Sequence, residues 1–168
     1  MQSSQNLILT KKQINQKIRR IAYEIYENNF DEKELVIAGI FDSGFTLAKR
    51  ILNELNKISP HKTTLVKVSI NKVSPLKEEI SLDCELKELK NKSVILIDDV
   101  LNTGRTMSFS LKAFLGAEIR KMEAAVLVDR SHKLFPMDAR YKGYELATTI
   151  NEHVEVILKG AEQGVYLS

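Results

Sequence analysis

The feature that most restricts the fold is an unbroken apolar segment, Val-Ile-Leu-Ile at residues 94–97. A strand with one solvent-facing side alternates polar and apolar residues, so this run predicts a strand covered on both faces. Residues 35–40 and 124–128 form similar apolar segments, and helical patterns separate the three. Strands that alternate with helices predict an α/β fold, with right-handed crossovers and a mostly parallel twisted sheet flanked by helices.

Apolar spacing also predicts where the helices lie. Isoleucines at positions 14, 18, 21 and 25 fall on one stripe of a helix that begins after an N-cap at Thr10 and ends near Asn29. We expect the remaining elements to be a second helix from Ser43-Gly44, a third over about residues 104–116, and strands at residues 63–70, 144–149 and 154–158.

Composition bounds the class of protein. The chain has 168 residues, 43% of them apolar, with neither an internal repeat nor a low-complexity tract, which predicts one domain over residues 1–168. No apolar run reaches the roughly 18–20 residues of a membrane helix. The polar residues 1–6 do not resemble a secretory signal, and Cys84 is the single cysteine, so we expect a cytoplasmic protein without a membrane partner. The net charge of +3 permits an anionic ligand without indicating nucleic acid.

Two adjacent acids follow the central apolar segment. Asp98 and Asp99 are predicted to emerge where the strand ends, and ligands of open α/β sheets bind beyond the carboxyl ends of the strands. Neighbouring buried carboxylates repel each other and are costly to desolvate. They therefore need hydroxyl groups, cations or a metal as partners.

A Thr-Gly-Arg-Thr turn at residues 103–106 supplies groups that attract an anion. Amides at the start of a helix attract anions, Gly104 allows the backbone to approach one closely, and Arg105 adds positive charge. Carboxylates can accept hydrogen bonds from sugar hydroxyls, and the turn next to them can bind an anion. Together these groups suit a ribose 5-phosphate as the ligand. The alternative interpretation is an ordinary capped helix after a strand, with Asp99 as a surface charge.

The whole segment of residues 94–107 closely resembles the 5-phosphoribosyl pyrophosphate (PRPP) motif of the type I phosphoribosyltransferases. Residues 124–143 resemble one branch of that family, the pyrimidine operon attenuator/uracil phosphoribosyltransferase proteins. The resemblance implies the type I fold with a small flexible hood, placed here at about residues 70–92. It also implies transfer of the phosphoribosyl group to a pyrimidine-like base with Mg²⁺, and a homodimer or higher homo-oligomer.

The resemblance further implies a role for each matching residue. Asp98 and Asp99 would be the catalytic acids, holding the ribose hydroxyls and stabilising an oxocarbenium-like transition state. The other assignments are Asn102, Thr103, Gly104, Arg105 and Thr106 for the 5-phosphate, Asp42, Ser43 and Gly44 for the pyrophosphate loop, and Val128, Asp129 and Arg130 for the base site.

Three positions depart from the family pattern. Asn102 stands where purine-using relatives have an aspartate and the uracil branch has a tyrosine. Ser43 replaces the arginine of a Lys-x-Arg-Gly pyrophosphate loop, and Asp42 adds a negative charge there. The hood lacks the Arg-Asp pair of the branch, so the candidate replacement cations are Lys67, Lys72 and Lys77.

These departures leave two functional hypotheses open: an enzyme acting on a pyrimidine-like base, and a nucleotide-sensing regulator that keeps the pocket and binds RNA. The first helix carries five basic residues before its first acid, at positions 11, 12, 17, 19 and 20. That face suits RNA phosphates, but a solvated helix surface is the favoured interpretation. His61, His132 and His153 do not have metal-ligand spacing; His132 fits either the base site or a surface loop.

Overall fold

A computed structural model describes residues 5–130 and 132–168 of the chain. The elements are β1 (Asn6–Thr10), α1 (Lys11–Asn28), β2 (Glu34–Ile40), α2 (Ser43–Ile58), β3 (Lys62–Ser69), β4 (Ser81–Leu82), β5 (Ser93–Leu101), α3 (Arg105–Ser110), β6 (Lys121–Arg130), β7 (Tyr141–Leu146), β8 (Val154–Ile157) and β9 (Gly164–Leu167). Two short 3-10 helices lie at Leu86–Leu89 and Leu111–Ala113. None of the helices described is long and apolar enough to cross a membrane.

The main sheet has six strands in the order β4-β3-β2-β5-β6-β7. Five of these strands, β3, β2, β5, β6 and β7, are parallel, and the short β4 pairs antiparallel to β3 at one edge. The apolar run of residues 94–97 lies in the central strand, between β2 and β6, and is fully buried. The predicted α/β fold with a mostly parallel sheet is confirmed.

Each face of this sheet has its own apolar core. The helices α1 and α2 pack on one face, where the four isoleucines of α1 are buried. The other face is covered by α3 and the 3-10 helices, with Leu89, Met107 and Phe114 as buried members. The carboxyl ends of β2, β5 and β6 thus open between two packed layers.

The start of α1 is fixed by its predicted cap. Thr10 Oγ1 accepts a hydrogen bond from the Gln13 amide at 3.3 Å, and Gln13 Oε1 accepts one from the Thr10 amide at 2.8 Å. This reciprocal pair is a capping box, which satisfies two otherwise unpaired amides.

The third helix is shorter than predicted. α3 ends at Ser110 and continues as a single 3-10 turn, whereas apolar spacing predicted a helix to about residue 116. The buried Ser110 hydroxyl donates to the Thr106 carbonyl at 2.7 Å. A serine that bonds back to the preceding turn weakens and bends a helix, which accounts for the early end.

A small antiparallel sheet, in the order β1-β9-β8, is built from the two ends of the chain. Residues 70–92, where the hood was predicted, carry β4 and a 3-10 helix beside the edge of the main sheet, and their role as a hood stays a prediction. The separate small layer therefore does not come from this segment. Its strands pair across most of the chain length and have no local sequence signature.

Candidate active site

A pocket of about 360 Å³ opens at the carboxyl end of β5. It brings together Ser43 at the start of α2, Lys72 after β3, residues 98–107, and residues 153–156 in and before β8. The predicted sugar and phosphate segments therefore face one cavity. The pocket also has a wall that sequence reasoning did not anticipate, formed by β8.

The two acids lie within β5 and not beyond its end. The strand continues to Leu101, because Val100 and Leu101 still pair with Val128 and Asp129 of β6. Asp98 is only 3% exposed, whereas Asp99 is partly exposed to the pocket. The pair thus presents one buried and one accessible carboxylate.

Lys72 is the counter-ion of this pair. Its Nζ lies 3.1 Å from Asp98 Oδ1 and 3.4 Å from Asp98 Oδ2, and 4.0 Å from Asp99 Oδ1. Burial raises the pKa of Asp98 above its ordinary value, and the nearby Asp99 raises it further, while Lys72 opposes both effects. The charge of Lys72 thus favours the ionised acid at the centre of the pocket.

The segment after the acids forms a fixed loop. Gly104 has a left-handed conformation with φ of 84°, and a Cβ there would lie 3.2 Å from the Phe135 carbonyl oxygen. The Thr103 carbonyl accepts hydrogen bonds from the amides of Leu134 and Phe135 at 2.9 and 3.0 Å. Since α3 has only 6 residues, the geometry of the loop contributes more to anion binding here than a helix dipole does.

Gly44 allows α2 to begin directly against Asp98. A Cβ at this position would lie 2.8 Å from both Asp98 Oδ1 and the Ile97 carbonyl oxygen, and 2.9 Å from Asp98 Cα. These distances are shorter than any van der Waals contact between such atoms, and two of the three neighbours are backbone atoms. The predicted pyrophosphate loop and the acid pair are therefore in direct contact.

The comparisons with known proteins decide the family. A model of the phosphoribosyl transferase domain matches residues 4–159. The chain belongs to the phosphoribosyl transferase family. The resemblance seen in the sequence is confirmed, and so are the type I fold and the enzyme class.

Curated relatives and solved structures agree with this assignment. The bifunctional protein PyrR of Clostridium beijerinckii is 37% identical over 161 residues, covering 92% of this chain and 90% of its own. PyrR of Staphylococcus epidermidis (strain ATCC 12228) is 37% identical over 164 residues, covering 93% of each chain. The hypoxanthine phosphoribosyltransferase of Trypanosoma cruzi shares the fold, with a TM-score of 0.74 at 15% identity, covering 89% of this chain and 84% of its own.

Asp42 and Ser43 of this phosphoribosyltransferase have different surroundings. Ser43 lines the pocket, but the Asp42 side chain is 64% exposed and lies 3.7 Å from Lys159 Nζ, outside the pocket lining. The peptide bond between Phe41 and Asp42 is cis. The negative charge that the sequence placed beside the pyrophosphate loop is thus turned toward a lysine.

The side chains predicted for the base site do not reach into the pocket. Val128 is fully buried, and the buried Asp129 pairs with Lys133 and, at 3.0 Å, with Lys142 Nζ. Arg130 is 8% exposed and turns away to the connection between β7 and β8. Internal partners occupy both charged groups, and the base site, which the resemblance implies is shaped here largely through backbone groups, stays a prediction.

Arg130 instead joins three segments around the pocket. Its Nη1 donates to Asn102 Oδ1 at 2.9 Å, and its Nε and Nη2 donate to Thr148 Oγ1 at 2.9 and 2.6 Å. Nη2 also donates to the carbonyls of Glu152 at 2.8 Å and Thr149 at 3.3 Å. The guanidinium thereby connects the phosphate loop to the chain that leads into β8.

Sequence reasoning missed His153 and β8 as pocket residues, because no local pattern links residues 153–156 to a strand some fifty residues earlier. His132, for which two interpretations were open, lines a second cavity of about 560 Å³ with Asn102, Lys133 and Leu134. Lys72 was one of three lysines named for the hood. Of these three, Lys72 is the one that lines the pocket.

We predict that Gly44→Ala lowers the affinity for PRPP by at least about tenfold, because the added methyl displaces either α2 or Asp98. Gly116→Ala is the matched control, since its Cβ would meet only the end of the Leu86 side chain. Isothermal titration calorimetry measures both affinities. Equal affinities for the two variants would contradict the close contact between α2 and the acid pair.

Proposed function

We propose that this protein transfers the 5-phosphoribosyl group from PRPP to a pyrimidine base, with uracil as substrate and UMP as product. In this reaction a bond forms between N1 of uracil and C1 of the ribose, and the N1 proton is released to solvent. The bond from C1 to the pyrophosphate oxygen breaks, and pyrophosphate leaves with its electron pair. One observation carries the proposal: the acid pair and the Thr103–Thr106 loop line a single pocket of about 360 Å³.

Each wall of the pocket suits one part of the substrate. The carboxylates of Asp98 and Asp99 suit the two ribose hydroxyls and oppose the positive charge that develops on the sugar ring. The loop from Thr103 to Thr106 offers backbone amides and two hydroxyls to the 5-phosphate. Ser43, at the start of α2, faces the same cavity and suits the pyrophosphate.

The remaining wall suits the base. Residues 153–156 line the same pocket as the phosphate loop, and β8 is held there by β9 and by the hydrogen bonds of Arg130 to Thr149 and Glu152. Exposed backbone groups of such a strand can pair with the carbonyl and N–H edge of uracil. The choice of a pyrimidine rests on the similarity to PyrR proteins, since the hypoxanthine enzymes share the fold alone.

Magnesium fits this pocket as a partner of the substrate. Among residues 5–130 and 132–168, no three His, Cys, Asp or Glu side chains are arranged to hold a metal ion. Mg²⁺ is commonly bound through substrate phosphates with few protein ligands, which suits a PRPP complex. When bound, the ion supplies positive charge that stabilises the leaving pyrophosphate.

The test is formation of UMP from labelled uracil. We expect product that depends on both PRPP and Mg²⁺, and much less product from hypoxanthine, guanine or orotate. Asp31→Asn serves as a matched control for substitutions of Asp98, because Asp31 is an exposed acid that precedes β2, at the opposite edge of the parallel sheet from the pocket. Failure of the folded protein to form a nucleotide from any of these bases would contradict the proposal.

A second function, RNA binding under nucleotide control, is favoured by one feature. A groove of about 470 Å³ between α1 and α2 is lined by Lys12, Arg19, Arg50 and Lys57, with Glu54 as the only acid. Arg20, from the same helix, is instead engaged with the carbonyls of Lys142 and Gly143, both at 2.8 Å. The basic surface available to a partner is therefore narrower than the sequence suggested.

Filter binding to the leader RNA of the protein's own operon, with and without UMP, tests this second function. We expect UMP to strengthen binding, and Lys12→Gln with Arg19→Gln to weaken it relative to Lys90→Gln, which removes a charge elsewhere on the surface. Binding that depends on neither UMP nor RNA sequence would contradict it.

A further inference from the structure

Both carboxylate oxygens of the buried acid of the pocket contact the ammonium group of Lys72. Asp98 Oδ1 accepts hydrogen bonds from the Asp99 amide at 2.9 Å and from Lys72 Nζ at 3.1 Å, and Oδ2 faces the same ammonium at 3.4 Å. The Asp98 side chain is nearly inaccessible, and Lys72 lines the same pocket in contact with its carboxylate.

From this geometry we propose that Lys72 and the ribose hydroxyls compete for Asp98, so that Lys72 is displaced when a ribose binds the acid pair. The inference rests on the proposed function, since it takes a ribose phosphate as the ligand. Lys72 is then a residue that sets how much the sugar hydroxyls contribute to affinity. It opposes hydroxyl binding in proportion to the strength of its own ion pair.

The surroundings of Lys72 allow this exchange. Its side chain is 37% exposed, so the ammonium can return to water, where it is strongly hydrated. The backbone next to it is held by a local turn, in which Asn71 Oδ1 accepts hydrogen bonds from the amides of Val73 and Ser74 at 3.2 and 2.9 Å. Displacement therefore needs rotation of one long side chain and leaves the turn intact.

The test compares UMP with 2′,3′-dideoxy-UMP, which lacks both sugar hydroxyls, in the wild type and in three variants. Lys72→Met removes the competing cation, and Lys72→Arg retains it. Lys77→Met removes one positive charge from an exposed position in the same segment that does not line the pocket, which corrects for long-range attraction of the phosphate. Calorimetry gives the ratio of the two affinities for each protein.

We expect the ratio of UMP affinity to dideoxy-UMP affinity to rise at least about fivefold in Lys72→Met, which is the upper end for a surface ion pair, because the carboxylate of this pair is buried. The ratio should stay at its wild-type value in Lys72→Arg and Lys77→Met. An unchanged or smaller ratio in Lys72→Met would contradict the displacement. Failure of the wild type to bind either nucleotide would instead contradict the proposed function, and with it this inference.

A second measurement follows the Lys72 side chain directly and does not depend on a change in affinity. In protein labelled with ¹³C-lysine, the Lys72 Cε resonance, assigned by its loss in Lys72→Met, should shift on addition of UMP and stay in place with dideoxy-UMP. Lys77 should be insensitive to both. An equal response of Lys72 to the two nucleotides would show that the hydroxyls do not displace it.

Discussion

Asp98→Asn combined with Asp99→Asn is expected to abolish measurable binding of PRPP and UMP while the protein stays folded. Hydrogen bonds from hydroxyls to charged acceptors contribute about 1.5–3 kcal/mol each, so loss of two corresponds to at least a hundredfold, by about 1.4 kcal/mol per factor of ten. Asparagine has nearly the same shape as aspartate, so the packing of β5 between β2 and β6 is retained. Calorimetry measures the affinity, and circular dichroism measures the fold.

Asp98→Asn alone is expected to change how the free energy of unfolding depends on pH. Because burial raises the pKa of Asp98 in the folded protein, the folded state holds this proton more tightly than the unfolded state does. The free energy of unfolding that Asp98 contributes is therefore present below the ordinary carboxyl pKa of about 4 and is lost as pH rises toward the raised value. As the pH rises over this range, the Asp98→Asn variant should lose less free energy of unfolding than the wild type, whereas the control Asp31→Asn should follow the wild type.

Retained affinity in the double variant would contradict the assignment of the acids to the sugar. A parallel pH dependence of wild type and Asp98→Asn would contradict only the burial of an ionisable Asp98. The two outcomes separate the role of the pair in binding from its effect on the fold.

Arg130→Met is expected to lower the free energy of unfolding by about 3 kcal/mol and to weaken the binding of both substrates. The substitution leaves Asn102 Oδ1, the Thr148 hydroxyl and the Glu152 carbonyl without their charged donor. Since these groups belong to the phosphate loop and to the chain entering β8, KM for PRPP and KM for uracil should both rise. Denaturant unfolding and steady-state kinetics measure the two effects.

Two further variants make this prediction specific to Arg130. Lys87→Met removes an exposed lysine whose ion pair with the exposed Glu85 lies on the surface, and it should change stability by less than about 1 kcal/mol. Arg130→Lys should recover only part of both properties, because lysine cannot donate along the several directions that the guanidinium uses. A rise in KM for one substrate alone would contradict the role of Arg130 in joining the two segments.

The parts of this fold that sequence could predict depend on neighbours in the chain. The isoleucine spacing and Thr10 determine α1, and the apolar run before Asp98 determines a buried central strand. The acid pair and the loop at Gly104 are contiguous with that strand, so their proximity follows from local geometry.

The parts that failed depend on distant pairing. The end of β5 was placed too early, because its last residues are held in the strand by β6. The side-chain partners of Arg130 lie on the β7–β8 connection, which its place at the end of β6 does not indicate. β8 itself reaches the pocket through a sheet made from the two ends of the chain. These contacts join segments that are far apart in sequence, and the residues carry no periodic signal of them.

The most direct measurement is a crystal structure of the protein with UMP. We predict that the 5-phosphate lies against the backbone of residues 103–106 and that the ribose hydroxyls donate to Asp98 or Asp99. A nucleotide bound elsewhere, with that loop empty and the two acids facing solvent, would contradict the account.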